Sequence, residues 1–258
     1  MEFDKRKIFD LVEKEGQNLP WLKDSIVMLH KGGSYLYGTN HEKSDMDVRG
    51  VCIPPKDYWI GCKRFEQFEY KSNDMDVVIY DVRKWLNLAV AMNPNVLETA
   101  FAKNDAVLFN KISWNYISEI YRRDLINQNA YNGYLGYSHS QIKKLQIKQD
   151  NKTGRTALVE EFGFDTKFLS HAFRLLRQGR ELLSTGNIEF PRPDREELKD
   201  IIFGRKYGRE DLQKAHDDWK EEEVLLKEAF DKSVLPKTWD VNKVNELFIK
   251  IYESYVKA

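Results

Sequence analysis

The sequence predicts an α+β protein in which a small β-sheet occupies the first half and helices fill the second half. Two observations lead to this fold class. Short runs rich in β-branched and aromatic residues, bounded by polar turns, occur before about residue 105. After that point apolar residues recur at helical spacing, and we expect no strand pair there. We therefore expect two domains, residues 1–105 and 106–258.

The first half alternates predicted helices and strands. Apolar residues at helical spacing predict a lead-in helix over residues 5–15. Strands are predicted over residues 25–30, 46–53, 64–70 and 75–80. Asp81 is expected to cap a helix over residues 82–92. Asn93-Pro94 then starts another helix, with asparagine at the cap and proline in the first turn.

Helical periodicity dominates the second half. Helices are predicted over residues 114–125, 131–148, 165–185, 209–231 and 240–255. A polar loop containing one glycine is expected over residues 149–156. Asp194 and Glu197 have the spacing of a capping box, in which the first side chain caps a short helix that begins there.

The composition excludes several classes of protein. The 258 residues carry 41 basic and 41 acidic side chains, so the formal net charge is zero. This balance argues against a long non-specific nucleic-acid groove, although a local basic patch is compatible with it. No apolar stretch approaches the roughly 20 residues that a membrane span requires, and the first residues lack a secretory signal. We expect a cytoplasmic protein that does not bind membranes.

The strongest chemical signal is a pair of acids on one predicted strand. Asp45 and Asp47 project from the same face, about 6.8 Å apart along the backbone, because side chains alternate along a strand. Two carboxylates about 4 Å apart repel by about 1 kcal/mol in water and about 4 kcal/mol near a protein surface. A divalent cation with oxygen ligands, such as Mg²⁺, would offset that repulsion. Asp76 on a later strand is the expected third acid, and Asp74 is the competing candidate.

A glycine-serine turn precedes this acidic pair. Gly33 and Ser34 follow the first predicted strand, where glycine permits close approach of a phosphate to the backbone. Ser34 is expected to cap the next helix, to bind a phosphate, or to do both. Arg49 shares the strand face of the acids, and two roles remain open for it: contact with a substrate, or a salt bridge that holds the acids in place.

These residues together resemble the DNA polymerase β nucleotidyltransferase superfamily. The strings Gly33 to Thr39 and Ser44 to Val51 are similar to a narrower branch, the polymerase-β-like nucleotidyltransferases associated with RNA repair. The similarity continues through residues 76–80, 93–98 and 167–183. It implies a mixed sheet with helices on one face, in a catalytic domain over residues 1–105, and a helical domain that closes over the nucleotide.

The resemblance also implies roles for individual residues. Gly33 and Ser34 would hold a triphosphate. Asp45 and Asp47 would bind metal ions, and Asp76 would complete the catalytic metal site. The implied reaction transfers a nucleoside monophosphate from a nucleoside triphosphate in the presence of Mg²⁺, with Mn²⁺ as an alternative metal.

A second group of candidate residues follows from helical periodicity. Lys167, His171, Arg174 and Gln178 recur at spacings of four, three and four, which places them in one stripe of a helix. The first three are candidates to bind the phosphates of the nucleotide. A solvated basic face is the alternative explanation of this stripe.

The resulting functional hypothesis is a two-metal nucleotidyltransferase. We expect ATP as the nucleotide and RNA as the acceptor, with pyrophosphate released. A protein side-chain hydroxyl is the alternative acceptor. A nucleotide- or RNA-binding module without turnover is the alternative from a different functional class.

Overall fold

The computed structural model describes residues 4–42, 44–145 and 155–256, and its centre is a five-stranded mixed sheet. The strands are β1 (Ile26–Lys31), β2 (Met46–Cys52), β3 (Gln67–Lys71), β4 (Met75–Asp81) and β5 (Val107–Asn110). Their order across the sheet is β3-β4-β2-β1-β5. β2 and β4 pair in parallel, and the remaining neighbours pair antiparallel. The α+β fold class with a mixed sheet is thereby confirmed.

The fifth strand was not predicted. β5 pairs with β1 from the first half of the chain, at the edge of the sheet, and the described residues after 105 contain no pair of strands, as expected. β5 has only four residues, and none of them is fully buried. Such a short edge segment carries too little alternation to be distinguished from a loop by pattern. The sheet therefore extends past the expected domain boundary at residue 105, which itself stays a prediction.

Thirteen α-helices occupy the described residues, and most of them lie in the second half. They are α1 (Lys5–Glu15), α2 (Leu22–Ser25), α3 (Gly33–Tyr37), α4 (Lys56–Trp59), α5 (Val82–Val90), α6 (Pro94–Leu97), α7 (Ile112–Asp124), α8 (Ala130–Ile142), α9 (Arg155–Phe162), α10 (Thr166–Thr185), α11 (Arg195–Ile202), α12 (Leu212–Lys232) and α13 (Val241–Ile251). None of these is long and apolar enough to cross a membrane. The helical second half is confirmed.

Most of the predicted helix ends agree with the structure. Asp81 accepts a hydrogen bond from the Arg83 amide, and Asn93 accepts one from the Asn95 amide, as expected of N-caps. Of the predicted loop at 149–156, residues 149–154 lie outside the described part of the chain, and Arg155 begins α9.

The predicted capping box at Asp194 is wrong. Asp194 precedes α11, but within the described residues its side chain makes no hydrogen bond to the first turn of that helix. Its carboxylate instead pairs with Arg177, and so does that of Glu197. Arg177 is mostly buried, and a buried guanidinium requires carboxylate partners more strongly than a helix end requires a cap.

The two faces of the sheet have different environments. On one face, Val48, Val77 and Ile79 pack with Ile8 of α1 and Leu22 of α2 in a buried apolar cluster. Because side chains alternate along a strand, Asp47 and Arg49 of β2 and Asp76 of β4 point to the opposite face. That face looks toward the helical half of the chain, whose larger core joins α5, α8 and α10. The polar face of β2 and β4 therefore forms one wall of a cleft.

Candidate functional site

A cleft of about 690 Å³ opens between the polar face of the sheet and helices α10 and α11. Its first wall comes from α3, the segment after it and strands β2 to β4: Gly33, Ser34, Tyr37, Thr39, His41, Ser44, Asp45, Asp47, Arg49, Glu69, Tyr70, Lys71, Asp76, Val78 and Tyr80. The other wall includes Asn95, Glu98, Lys167, Ser170, His171, Arg174, Leu198 and Ile202. The cleft thus contains all eight residues that the sequence nominated for the site.

The parallel pairing of β2 and β4 brings two of the acids together. Asp47 and Asp76 are direct register partners across these strands, so they project from the same face at the same height. Asp45 comes two residues before Asp47 and also lines the cleft. The competing candidate, Asp74, lies in the turn before β4, where its backbone carbonyl accepts a hydrogen bond from the Met46 amide. The register therefore favours Asp76 as the third acid.

Arg49 lies between the two paired acids. Its Nη2 donates to Asp47 Oδ1 at 3.2 Å, and its Nη1 donates to Asp76 Oδ1 at 2.9 Å. Nη1 also donates to the backbone carbonyls of Val48 and Asp76, each at 3.0 Å. Of the two roles left open for Arg49, the salt bridge that holds the acids is the one seen here. One guanidinium thus neutralises carboxylates from two neighbouring strands.

The electrostatics of Asp47 reflect a crowded acidic site. Burial raises the pKa of its carboxyl group, the nearby Arg49 lowers it, and the negative charges of Asp76 and Asp45 raise it again. The net result is a raised pKa, so the ionised form of Asp47 is under-compensated even with Arg49 in place. Additional positive charge near Asp47 would therefore be stabilising.

The acids do not form a complete metal cage by themselves. Within the described ranges, no three His, Cys, Asp or Glu side chains are grouped closely enough to hold a metal ion. Mg²⁺ in nucleotide sites typically uses only one or two carboxylates and completes its coordination with waters and substrate phosphates. The paired Asp47 and Asp76 carboxylates provide a donor set of that kind.

The glycine-serine segment lies directly against the acids. Gly32 donates its amide to the Asp47 carbonyl at 2.8 Å. Gly33 adopts φ +52°, and a Cβ at this position would overlap the Asp47 carboxylate. Ser34 lies inside α3, whose N-cap is Gly32, so Ser34 is not the cap of that helix. A side chain at position 33 would therefore block the contact between the segment and Asp47.

The basic stripe of α10 divides into an exposed end and a buried end. Lys167 is exposed and His171 is half-buried, and both line the cleft opposite the acids. Arg174 and Gln178 are buried, and they hydrogen-bond to each other. A solvated basic face therefore does not describe the whole stripe. The end with Lys167 and His171 faces the cleft, whereas the end with Arg174 and Gln178 is buried in the protein.

Arg174 belongs to a buried network that sequence reasoning did not find. Its Nη1 donates to Glu98 Oε1 at 2.9 Å, and its guanidinium carbon lies 3.9 Å from the centre of the Tyr37 ring. Tyr37 Oη donates to Glu98 Oε2 at 2.9 Å. This network joins α3 to α10 across the cleft. The signal in the sequence was Glu98 itself, a lone acid within the otherwise uncharged run 96–101.

Comparison with protein families identifies the class to which this fold and site belong. The chain belongs to the RNA repair pathway DNA polymerase beta family (RlaP), whose family model matches residues 6–250. Family membership together with the mixed sheet and helical second half indicates a polymerase β-like nucleotidyltransferase. The resemblance inferred from the glycine-serine and aspartate motifs is confirmed.

Individual relatives are more distant. An uncharacterized 38.9 kDa protein of Enterobacteria phage T4, from the nrdC-mobD intergenic region, is 25% identical over 127 residues. That match covers 45% of this chain and 37% of the phage protein, so it spans little more than a third of the relative's length. A nucleotidyltransferase-like protein from Exiguobacterium sibiricum aligns over 97% of this chain and 80% of its own, with 9% identity and a TM-score of 0.31.

Proposed function

We propose that this protein transfers a nucleoside monophosphate from a nucleoside triphosphate, with ATP as the favoured nucleotide, to a hydroxyl group of an RNA acceptor. The observation that carries the proposal is the register pairing of Asp47 with Asp76 in a cleft whose opposite wall holds Lys167 and His171. Carboxylates on one wall and basic side chains on the other match the needs of a metal-bound triphosphate. Membership of the RNA repair pathway family supports RNA as the acceptor.

The metal site in this proposal is centred on the paired carboxylates Asp47 and Asp76, and Asp45, which lines the same cleft, is a further candidate ligand. Carboxylate oxygens are the hard ligands that Mg²⁺ prefers, and Mn²⁺ accepts the same donors. Burial raises the pKa of Asp47, Arg49 opposes that rise, and the charges of Asp76 and Asp45 add to it; a metal ion would offset the repulsion among these acids. When bound, the metal ions would increase the acidity of the attacking hydroxyl and neutralise charge on the departing pyrophosphate.

The remaining residues of the cleft bind and orient the reactants in this proposal. Gly33 leaves the backbone accessible to the triphosphate, and the Ser34 hydroxyl is available to a phosphate oxygen. Lys167 and His171 contact the phosphates from the α10 side. The acceptor oxygen forms a bond to the α-phosphorus while the bond to the β-phosphate oxygen breaks, and Asp76 is the candidate base for the hydroxyl proton.

Labelled nucleotides test the proposal directly. The purified protein is incubated with each labelled nucleoside triphosphate, Mg²⁺ and total RNA, and both labelled RNA and released pyrophosphate are measured. We expect label in RNA from the wild type and none from Asp76→Asn. Asp74→Asn is the matched control, because it removes the same charge from the adjacent turn, and it should retain transfer.

Other outcomes of this experiment discriminate between functions. Label in protein bands would indicate a protein AMP-transferase. Mg²⁺-dependent ATP binding without pyrophosphate release would indicate a binding module. Absence of labelled product and pyrophosphate across RNA and protein acceptors would contradict the proposed reaction. The cytoplasmic location remains a prediction alongside this function.

A further inference from the structure

Arg49 occupies the position in the cleft where positive charge is most needed. It bridges Asp47 and Asp76, the two carboxylates that register places side by side. Arg49 binds one oxygen, Oδ1, of each carboxylate. A divalent cation that coordinates these two Oδ1 atoms would compete with the guanidinium and displace or reorient it.

The contacts of Arg49 are suited to such a displacement. Its side chain is 24% exposed, and those of Asp47 and Asp76 are 27% and 30% exposed, so all three are accessible from the cleft. Partly exposed ion pairs contribute little to folding stability and are easily broken. The bond to Asp47 is the longest of the four at 3.2 Å, while Nη1 makes three shorter bonds.

A displaced Arg49 would have a new partner available in the same cleft. Its guanidinium presents a planar set of donors that matches phosphate oxygens as well as carboxylates. The triphosphate in the proposed function would lie beside Asp47 and Gly33, within the cleft that Arg49 also lines. If Arg49 exchanged its carboxylate partners for phosphate oxygens, its positive charge would remain paired with negative charge before and after nucleotide binding.

We propose that Arg49 is an exchangeable cation, which neutralises Asp47 and Asp76 before the metal binds and then transfers its hydrogen bonds to the nucleotide phosphates. This inference rests on the proposed function. It makes metal binding and triphosphate binding thermodynamically linked, because each ligand favours the conformation that the other requires. The wild type should bind metal weakly alone and more tightly when a triphosphate is present.

The test measures Mn²⁺ binding by electron paramagnetic resonance for the wild type and Arg49→Met, without nucleotide. Removing the competing guanidinium should tighten Mn²⁺ binding by about fivefold, equivalent to about 1 kcal/mol from two partly exposed ion pairs. Arg123→Met is the control, because it removes an exposed positive charge outside the cleft and should leave Mn²⁺ affinity unchanged. Melting temperatures establish that each variant is folded, and the uncharged Arg49→Gln replaces Arg49→Met if the latter does not fold.

A second measurement separates exchange from simple competition. Binding of α,β-methylene-ATP is measured at saturating Mn²⁺, where Arg49 would have moved to the phosphates. Arg49→Met should then bind this analogue several-fold more weakly than the wild type, although it binds Mn²⁺ alone more tightly. Opposite effects of one substitution on the two ligands are the signature of the exchange.

Several results would overturn the inference. If Arg49→Met binds Mn²⁺ with unchanged or lower affinity, Arg49 does not compete with the metal. If it binds the nucleotide analogue as tightly as the wild type does, the guanidinium does not move to the phosphates. Either result with nucleotidyl transfer intact would leave the proposed function standing. Conversely, the expected binding pattern without transfer activity would support exchange and contradict the reaction.

Discussion

The buried pair of Arg174 and Glu98 allows the most quantitative prediction. Their side chains are only 4% and 5% exposed, and the salt bridge between them is 2.9 Å long. Arg174→Met leaves the Glu98 carboxylate without its only charged partner among the contacts described here, with the Tyr37 hydroxyl still donating to it. Removing one member of a buried ion pair costs about 3–5 kcal/mol. We expect the free energy of unfolding to fall by that amount at neutral pH.

The pH dependence of this loss follows from the pKa of Glu98. Burial raises the pKa of the Glu98 carboxyl group, and Arg174 opposes that rise. Without Arg174 the folded-state pKa rises further above the unfolded value. A carboxyl group with a raised pKa destabilises the fold fully above that pKa; the destabilisation decreases as the pH falls below it and disappears below the unfolded-state pKa. The cost of Arg174→Met should therefore decrease as the pH is lowered.

Urea denaturation of four proteins measures this coupling: the wild type, Arg174→Met, Glu98→Gln and the double variant. The double variant should be more stable than the sum of the single losses predicts, because it buries no unpaired charge. Tyr37→Phe provides an intermediate reference, with an expected loss of about 1.5–3 kcal/mol for one hydrogen bond to a charged group. Additive losses, or a loss below about 1 kcal/mol for Arg174→Met, would refute the account of a buried ion pair.

Three further predictions concern the cleft and the strand beside it. Gly33→Ala should lower the free energy of unfolding by about 1–2 kcal/mol because of the positive φ at position 33, and it should lower activity by displacing Asp47. Gly136→Ala on α8 is the control, because an added Cβ there meets no described atom within 4 Å. In urea denaturation this control should be more stable than the wild type by about 0.5–1 kcal/mol. The double variant Asp45→Ala/Asp47→Ala should lose labelled-nucleotide transfer while its melting temperature stays within a few degrees of the wild type, since it removes repulsion between acids; unfolding of this variant would contradict that reasoning. Burial lowers the pKa of His30 to about 4, so its charge is excluded from the fold, and stability should fall by about 2 kcal/mol between about pH 7.5 and about pH 5 as the unfolded state takes up the proton. His30→Gln should reduce this loss of stability at acid pH. An unchanged pH dependence of stability in His30→Gln would contradict the assignment of the loss to His30.

Local pattern in the sequence was sufficient for the elements that carry the acids. β1, β2 and β4 lie within one residue of their predicted limits, because buried strands show a clear apolar pattern. The strand period of two then placed Asp47 and Arg49 on one face. The local sequence pattern does not show which strand pairs with β2, because that depends on the order of strands in the sheet. That Asp76 stands beside Asp47 became definite only from the parallel register of β2 and β4.

Features that depend on distant partners escaped sequence reasoning. Arg174 was expected to contact phosphates, because helical spacing places it with Lys167 and His171. Its burial depends on Glu98, which lies 76 residues earlier in the chain. The predicted capping box at Asp194 failed for the same reason, since Arg177 of another helix takes that carboxylate. Periodicity identifies the face of a helix, but it does not identify what packs against that face.

Exposure distinguishes the two arginines of the cleft and assigns them different roles. Arg49 and Arg174 each pair with carboxylates at 2.9 Å, but the first side chain is 24% exposed and the second 4%. Separating a buried guanidinium from its carboxylate partner would leave an unpaired charge out of contact with water. Arg174 therefore links α3 to α10 without exchanging partners. A partly exposed guanidinium can exchange one anion for another at small cost. The site thus combines a buried cation that contacts Glu98 and Tyr37 with a partly exposed cation that, in the proposed exchange, passes from the acids to the phosphates.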